Sequence, residues 1–329
     1  MPLILIDGGE DGASWVPILS TSSTARNGKS LNVPWSSTPT FIFPPANESA
    51  TVTMGFAIRT NQLGGGTFLT LRSDGAGTSH VALTHESDGT ILIHRSPTPN
   101  VLATAPQAVP LAETWYHMEV QVVLHDTTGS VKLRINENLV AQATNVDTKN
   151  AGTKSVFDSV RFGRTNGAGG VYYIDDLYVM SGDGDTFLGD CVVETLYPNG
   201  NGTVNEWIGS DGNSTDNYLL VDEPQVPSTS DYVSSGTAGQ RDLYTLGNLV
   251  RTEGQVLGVT HCAYSAKNDA GARSIKVLNQ GAGAVTSSPA VILSTTYGPA
   301  HMTLPLNPDT SALWTMAEVN ALQTGVEVV

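Results

Sequence analysis

The sequence predicts an all-β protein built as two β-sandwiches, the second closed by a short C-terminal helix. Three observations predict it. Apolar residues recur at every second position through most of the chain, the period of a strand with one buried face. Asp-Gly pairs and other turn residues separate these runs at hairpin spacing. Glycine (34 residues) and proline (17) are abundant beside many Thr and Ser, while helical periodicity is nearly absent. At 329 residues the chain exceeds the usual span of one domain, so two are expected, residues 1–184 and 185–329.

Leu3–Ile6 reads as a short apolar strand. Val52, Met54, Phe56 and Ile58 then alternate with Thr53, Gly55 and Ala57. Phe68 and Leu69 open a strand that reaches Arg72 and turns at Asp74-Gly75. Val81 and Leu83 belong to the next, and Asp88-Gly89 turns it into Ile91 and Ile93. From Trp115 to His125, the residues Tyr116, Met118, Val120 and Val122 oppose His117, Glu119 and Gln121. Thr127-Thr128-Gly129 leads into Val131, Leu133 and Ile135, and Val160 and Phe162 precede the strand Tyr172–Met180. Seven or more antiparallel strands with one wet face give a two-sheet sandwich or jelly roll.

Gly182-Asp183-Gly184-Asp185 reads as the linker. The second unit is expected to hold strands at 188–196, 255–266, 274–278, 290–296 and 301–306. A helix over Thr315–Leu322 follows, with Thr315 as cap, Glu318 three residues on and Gly325 as the stop.

The net charge of −15 and the lack of any basic run argue against a nucleic-acid partner, since phosphates need clustered Lys and Arg. No stretch reaches the length of a membrane span, and Met1–Ile6 is too short and lacks the basic start of a secretory signal. Synthesis in the cytoplasm is expected, with Cys191 and Cys262 free; a bridge between them is the alternative. The seven histidines show no zinc spacing and read as surface residues. Neither Gly64–Gly66 nor Gly167–Gly170 is followed by the Lys-Ser/Thr of a phosphate loop.

Three stretches carry a resemblance: Trp115-Tyr116-His117-Met118-Glu119-Val120, Gly129–Asn136, and Tyr173-Ile174-Asp175-Asp176-Leu177-Tyr178-Val179. With them the first unit resembles a laminin-G or concanavalin-A-like jelly roll. The whole chain resembles a group of two-domain virion proteins of tailed bacteriophages. The ordered marks are Leu3–Gly8, Phe187–Asp190, Pro198 with Trp207, Val221–Pro224, Tyr232–Ser235, Arg241–Tyr244, Asn307–Thr310, Trp314-Thr315 and Glu318–Leu322. One departure is Gly9-Glu10-Asp11-Gly12, where the family usually has an aromatic after its first Asp-Gly.

That resemblance implies a structural protein on the virion surface, placed on the capsid, neck or tail. Its partners would be other virion proteins and copies of itself. The alternative it implies is a host-surface adhesin that binds glycan through the lectin-like first unit, by loops around Gly64–Gly66 or Asn166–Gly170. Asp175 and Asp176 are calcium candidates, because related lectin-like domains hold calcium with paired acids; in a strand the two would point to opposite faces. No other cofactor is expected. Leu3, Ile4, Leu5, Ile6, Val326 and Val328 are candidates for strand pairing with neighbouring copies. The paired-glutamate pattern of retaining glycosidases on this fold is missing, so the expectation is a protein without enzymatic activity.

Overall fold

The computed structural model describes the chain except residues 1–2, 11–14, 16–18, 35–36, 65, 76, 97–99, 164–169, 185, 224–227 and 229. It divides into two compact units, Met1–Val193 and Glu194–Val329. Both are antiparallel β-sandwich structures, as the alternation predicts.

The first unit has fourteen strands. They are β1 (Leu3–Asp7), β2 (Ser20–Ser22), β3 (Ser30–Pro34), β4 (Thr40–Ile42), β5 (Thr51–Thr60), β6 (Gly66–Ser73) and β7 (Thr78–His85). There follow β8 (Ile91–Arg95), β9 (Asn100–Ala105), β10 (Tyr116–Val123), β11 (Gly129–Ile135), β12 (Asn138–Val146), β13 (Ser159–Phe162) and β14 (Val171–Ser181). One sheet runs β12-β11-β10-β5-β14-β3-β2, and β1 pairs with the C-terminal half of β14 beside β3. The other runs β4-β13-β6-β7-β8-β9. Their inner faces meet in one core that includes Met54, Phe56, Val120 and Leu133 from the first sheet and Leu69, Leu83, Ile93 and Val160 from the second. Trp15 fills the core against Phe162 at 5.3 Å between ring centroids, and its indole N–H donates to Asp7. That bond explains the Asp that ends β1.

Turn chemistry sets the registers. Asn136 and Glu137 both take positive φ (48° and 66°), so Ile135 pairs directly with Asn138 across a two-residue turn that matches the right-handed strand twist. Gly55, in the middle of β5, leaves room for the Tyr178 ring; a Cβ there would fall inside the ring's van der Waals envelope.

In the second unit Gln323–Val328 is a central strand, paired to Arg241–Leu246 on one edge and Ser274–Gln280 on the other. Val259–Ser265 pairs with Gly298–Leu304, and the core gathers Trp207, Ile275, Val277, Met302 and Val328. The helix α1 spans Met316–Asn320 and carries a full capping box between Thr315 and Glu318. Gly325 lies inside the last strand instead of stopping the helix, because the Asp242 carbonyl passes where a Cβ would stand.

Other expectations are corrected here. No strand forms over 188–196, since main-chain N–H groups of this stretch bond to buried side chains. The 255–266 strand begins only at Val259, and 290–296 contracts to Val291–Ile292. Cys191 and Cys262 are both free, and Cys191 lies in the first unit outside any strand. Histidines 80, 85, 94, 117 and 261 are buried. The polar faces of these sheets are themselves covered, which strand alternation cannot reveal.

Candidate functional site

The outer face of the eight-stranded sheet closes on itself. Glu119 on β10 is fully buried; its Oε1 accepts from Tyr178 Oη at 2.6 Å and from the Gly189 N–H at 2.8 Å. Its Oε2 lies 2.9 Å from Arg134 Nη1 on β11, the cross-strand partner by register. Arg134 in turn stacks on Phe187. Leu188 donates its N–H to Tyr178, and the Cys191 thiol, pushed up to about 12 first by burial and then by Glu119, packs beside Tyr178 and Met180. Residues 187–193 therefore form a strap that satisfies this face from within the chain.

Asp175 and Asp176 sit under the same region. The pairing of β14 to β5 slips between Asp175 and Tyr178, and Asp176 takes φ +51°. This bulge buries both carboxyls instead of pointing them to opposite faces. Asp175 accepts main-chain N–H groups of Arg26, Asn27 and Asp176, while Asp176 accepts from Val193 and lies 3.5 Å from Arg26 Nη1. Burial, then the charge of Asp176, pushes Asp175 up to about 7. Among the described residues no group of three or more His, Cys, Asp or Glu is placed to hold a metal ion.

The strand-pairing candidates also lie within intramolecular sheets. Leu3–Ile6 spend one edge on β14. Val326 has partners on both sides and Val328 on one, so the C-terminal strand offers no free ladder. Of the two glycan-loop candidates, Gly64 and Gly66 are described; Gly65 and residues 166–169 lie outside the described residues, as does Asp185.

The outer face of the six-stranded sheet differs. Val160 and Phe162 point into the core, so Arg161 between them faces outward. The register then aligns Arg161 on β13, Thr70 on β6, Ala82 on β7 and His94 on β8 in one row across four strands. Arg72 is the diagonal neighbour of Arg161 on this face. Small residues thus floor the row between a guanidinium at one end and an imidazole at the other. His94 is 4% exposed; its Nε2 bonds to Thr84 Oγ1 at 2.7 Å and its Nδ1 makes no hydrogen bond. Burial pushes this imidazole below its ordinary value, an effect the main chain of Arg95 partly opposes.

The two arginines are half-buried, and among the described residues neither guanidinium has an ion-pair or hydrogen-bond partner. The nearest carboxylate felt by Arg72, Asp158, already accepts from Lys154 Nζ at 3.1 Å and the Gly75 N–H at 2.8 Å. Burial presses both arginines below their ordinary value, and Arg161 adds to this at Arg72. The alternation in the sequence places Arg72 and Arg161 on strands, but their adjacency depends on β13 pairing with β6 across about ninety residues, which no local signal encodes.

No known family and no curated protein matches the chain. Solved structures similar to it include an endo-β-1,4-glucuronan lyase of the fungus Trichoderma reesei, 15% identical over 54% of this chain and 90% of that one, with a TM-score of 0.35. An alginate lyase is 12% identical over 55% and 98%, with a TM-score of 0.37. A botulinum neurotoxin type C structure, described for interaction with two ganglioside molecules, is 11% identical over 91% and 89%, with a TM-score of 0.36. The expectation of a protein without enzymatic activity is corrected by these comparisons, which bring it beside two polysaccharide lyases. Likeness of this degree assigns the chain no activity of its own.

Proposed function

We propose that this chain is a glycan-binding adhesin whose ligand lies across the outer face of the six-stranded sheet. The observation that supports this reading is the row Arg161, Thr70, Ala82 and His94, with Arg72 beside it. Sugars offer many hydroxyls that donate and accept, and they are held where protein donors converge without partners of their own. Unpaired guanidinium groups and an orphaned, buried Nδ1 supply that condition. Three strand spacings separate the ends of the row, roughly 14 Å, which suits a short oligosaccharide laid across the strands. Titrating the full chain against an array of bacterial surface glycans is expected to give saturable binding, weakened in a His94→Ala variant. A flat array would remove the reading.

A second reading concerns where the protein acts. The ordered marks from Leu3–Gly8 to Glu318–Leu322 favour a place on the outside of a bacteriophage particle, attached to other virion proteins or to copies of itself. The two readings are compatible in an adhesin carried by a virion. Mass spectrometry of purified particles checks the second: the polypeptide is expected in intact virions, and its absence from them would end this account of location.

A further inference from the structure

We infer that the ligand of this face is an anionic oligosaccharide, one of whose acidic groups is taken jointly by Arg72 and Arg161. This deepens the glycan-binding reading and rests on it. Two like charges on diagonal positions of adjacent strands repel each other and are costly to keep half-buried without a counter-charge. Every other described arginine reaches a carboxylate: Arg26, Arg59, Arg95 and Arg134 in the first unit, and the rest in the second. In a chain with 31 acidic and 16 basic residues, acceptors are abundant, yet none is spent here.

The chemistry of the pair narrows the ligand. A guanidinium presents a planar fork of donors that fits two oxygens of one anion, and such charge-assisted bonds are stronger than those to neutral hydroxyls. A neutral sugar would leave both cations uncompensated in a poorly hydrated place. An extended polyphosphate is disfavoured by the net charge of −15. The anionic group can be a ring carboxylate or a sulfate ester, since either presents paired oxygens. The neutral, buried His94 and the hydroxyls of Thr70 and Thr84 are left to meet uncharged hydroxyls farther along the row.

The test titrates the full chain, by calorimetry, with three oligosaccharides of equal length: an oligogalacturonate, its carboxyl-reduced neutral form, and a sulfated oligogalactan. At least one charged form is expected to bind ~10- to 100-fold more tightly than the neutral one. Which of the two does so names the source of the anion. Arg161→Gln and Arg72→Gln should each erase that advantage, whereas Arg273→Gln, which removes an exposed arginine of the second unit, should keep it. Should a Gln variant lose its cooperative melt, Arg161→Lys replaces it; keeping the charge without the fork should leave an intermediate advantage. Equal binding of the neutral and charged forms overturns the anionic inference and leaves the glycan reading standing. An advantage unchanged by the arginine variants overturns the assignment to this pair. Absence of binding to all three, together with a flat array, ends both.

Discussion

The two outer faces of the first unit look alike as sequence and differ as structure. On the eight-stranded sheet, Glu119, Arg134 and Tyr178 answer one another, and Gly189 from the strap supplies a further donor to Glu119. On the six-stranded sheet, Arg72, Arg161 and His94 are drawn out of water with donors still unmatched. Both are polar stripes on alternating strands. The first is a stabilising network; the second gives up stability and keeps its bonding capacity for something outside the fold. A polar strand face thus has two opposite meanings, told apart by whether each buried group has a partner.

The sharpest way to break this comparison is to remove the centre of the closed face. Glu119→Ala leaves Arg134 without its partner and Tyr178 without its acceptor, and should cost about 3 kcal/mol in urea-induced unfolding followed by circular dichroism. A cost below about 1 kcal/mol would mean the network is not structural.

The next test uses pH. An unfolded Asp titrates near 3.9, whereas Asp175 is pushed up to about 7 in the fold. Between those values the folded chain holds a proton that the unfolded chain has lost, so stability from this group is full at low pH and declines as pH rises through 7. Asp175→Asn should therefore remove a drop of about 2 kcal/mol between pH 5 and pH 8. Buried histidines act in the opposite direction but are common to both proteins, so the difference between them isolates Asp175. An identical pH profile in the two would refute it.

On the open face the sign reverses. Arg161→Leu removes one of two mutually repelling, half-buried charges and should leave stability unchanged or raise it by up to about 1 kcal/mol. A loss above that would show that Arg161 supports the fold. The smallest effect calibrates the rest: Arg273→Gln breaks an exposed pair with Asp269 and should change stability by less than about 0.5 kcal/mol.

Local chemistry in the sequence was enough for several elements. Met54, Phe56 and Ile58, or Val131, Leu133 and Ile135, can bury one face only as strands, and the observed core includes them all. Thr315 and Glu318 announce the helix because the capping box is complete within four residues. The candidate site was not legible in this way. Its residues Arg72, Arg161 and His94 come from three strands, and each alone resembles an ordinary wet residue of an alternating pattern. Gly325 misled for a related reason: a glycine after a helix usually marks its end, and only the tertiary crossing of Asp242 shows why a side chain is excluded there.

Period and turn chemistry, which act over a few residues, determined by themselves that this chain makes antiparallel sheets and where most of them fold back. Which polar side chains are buried, which of those are matched and which are left wanting was decided by tertiary structure. Burial and pairing are set by distant strands and by the strap at 187–193, whose contacts a linear pattern does not contain.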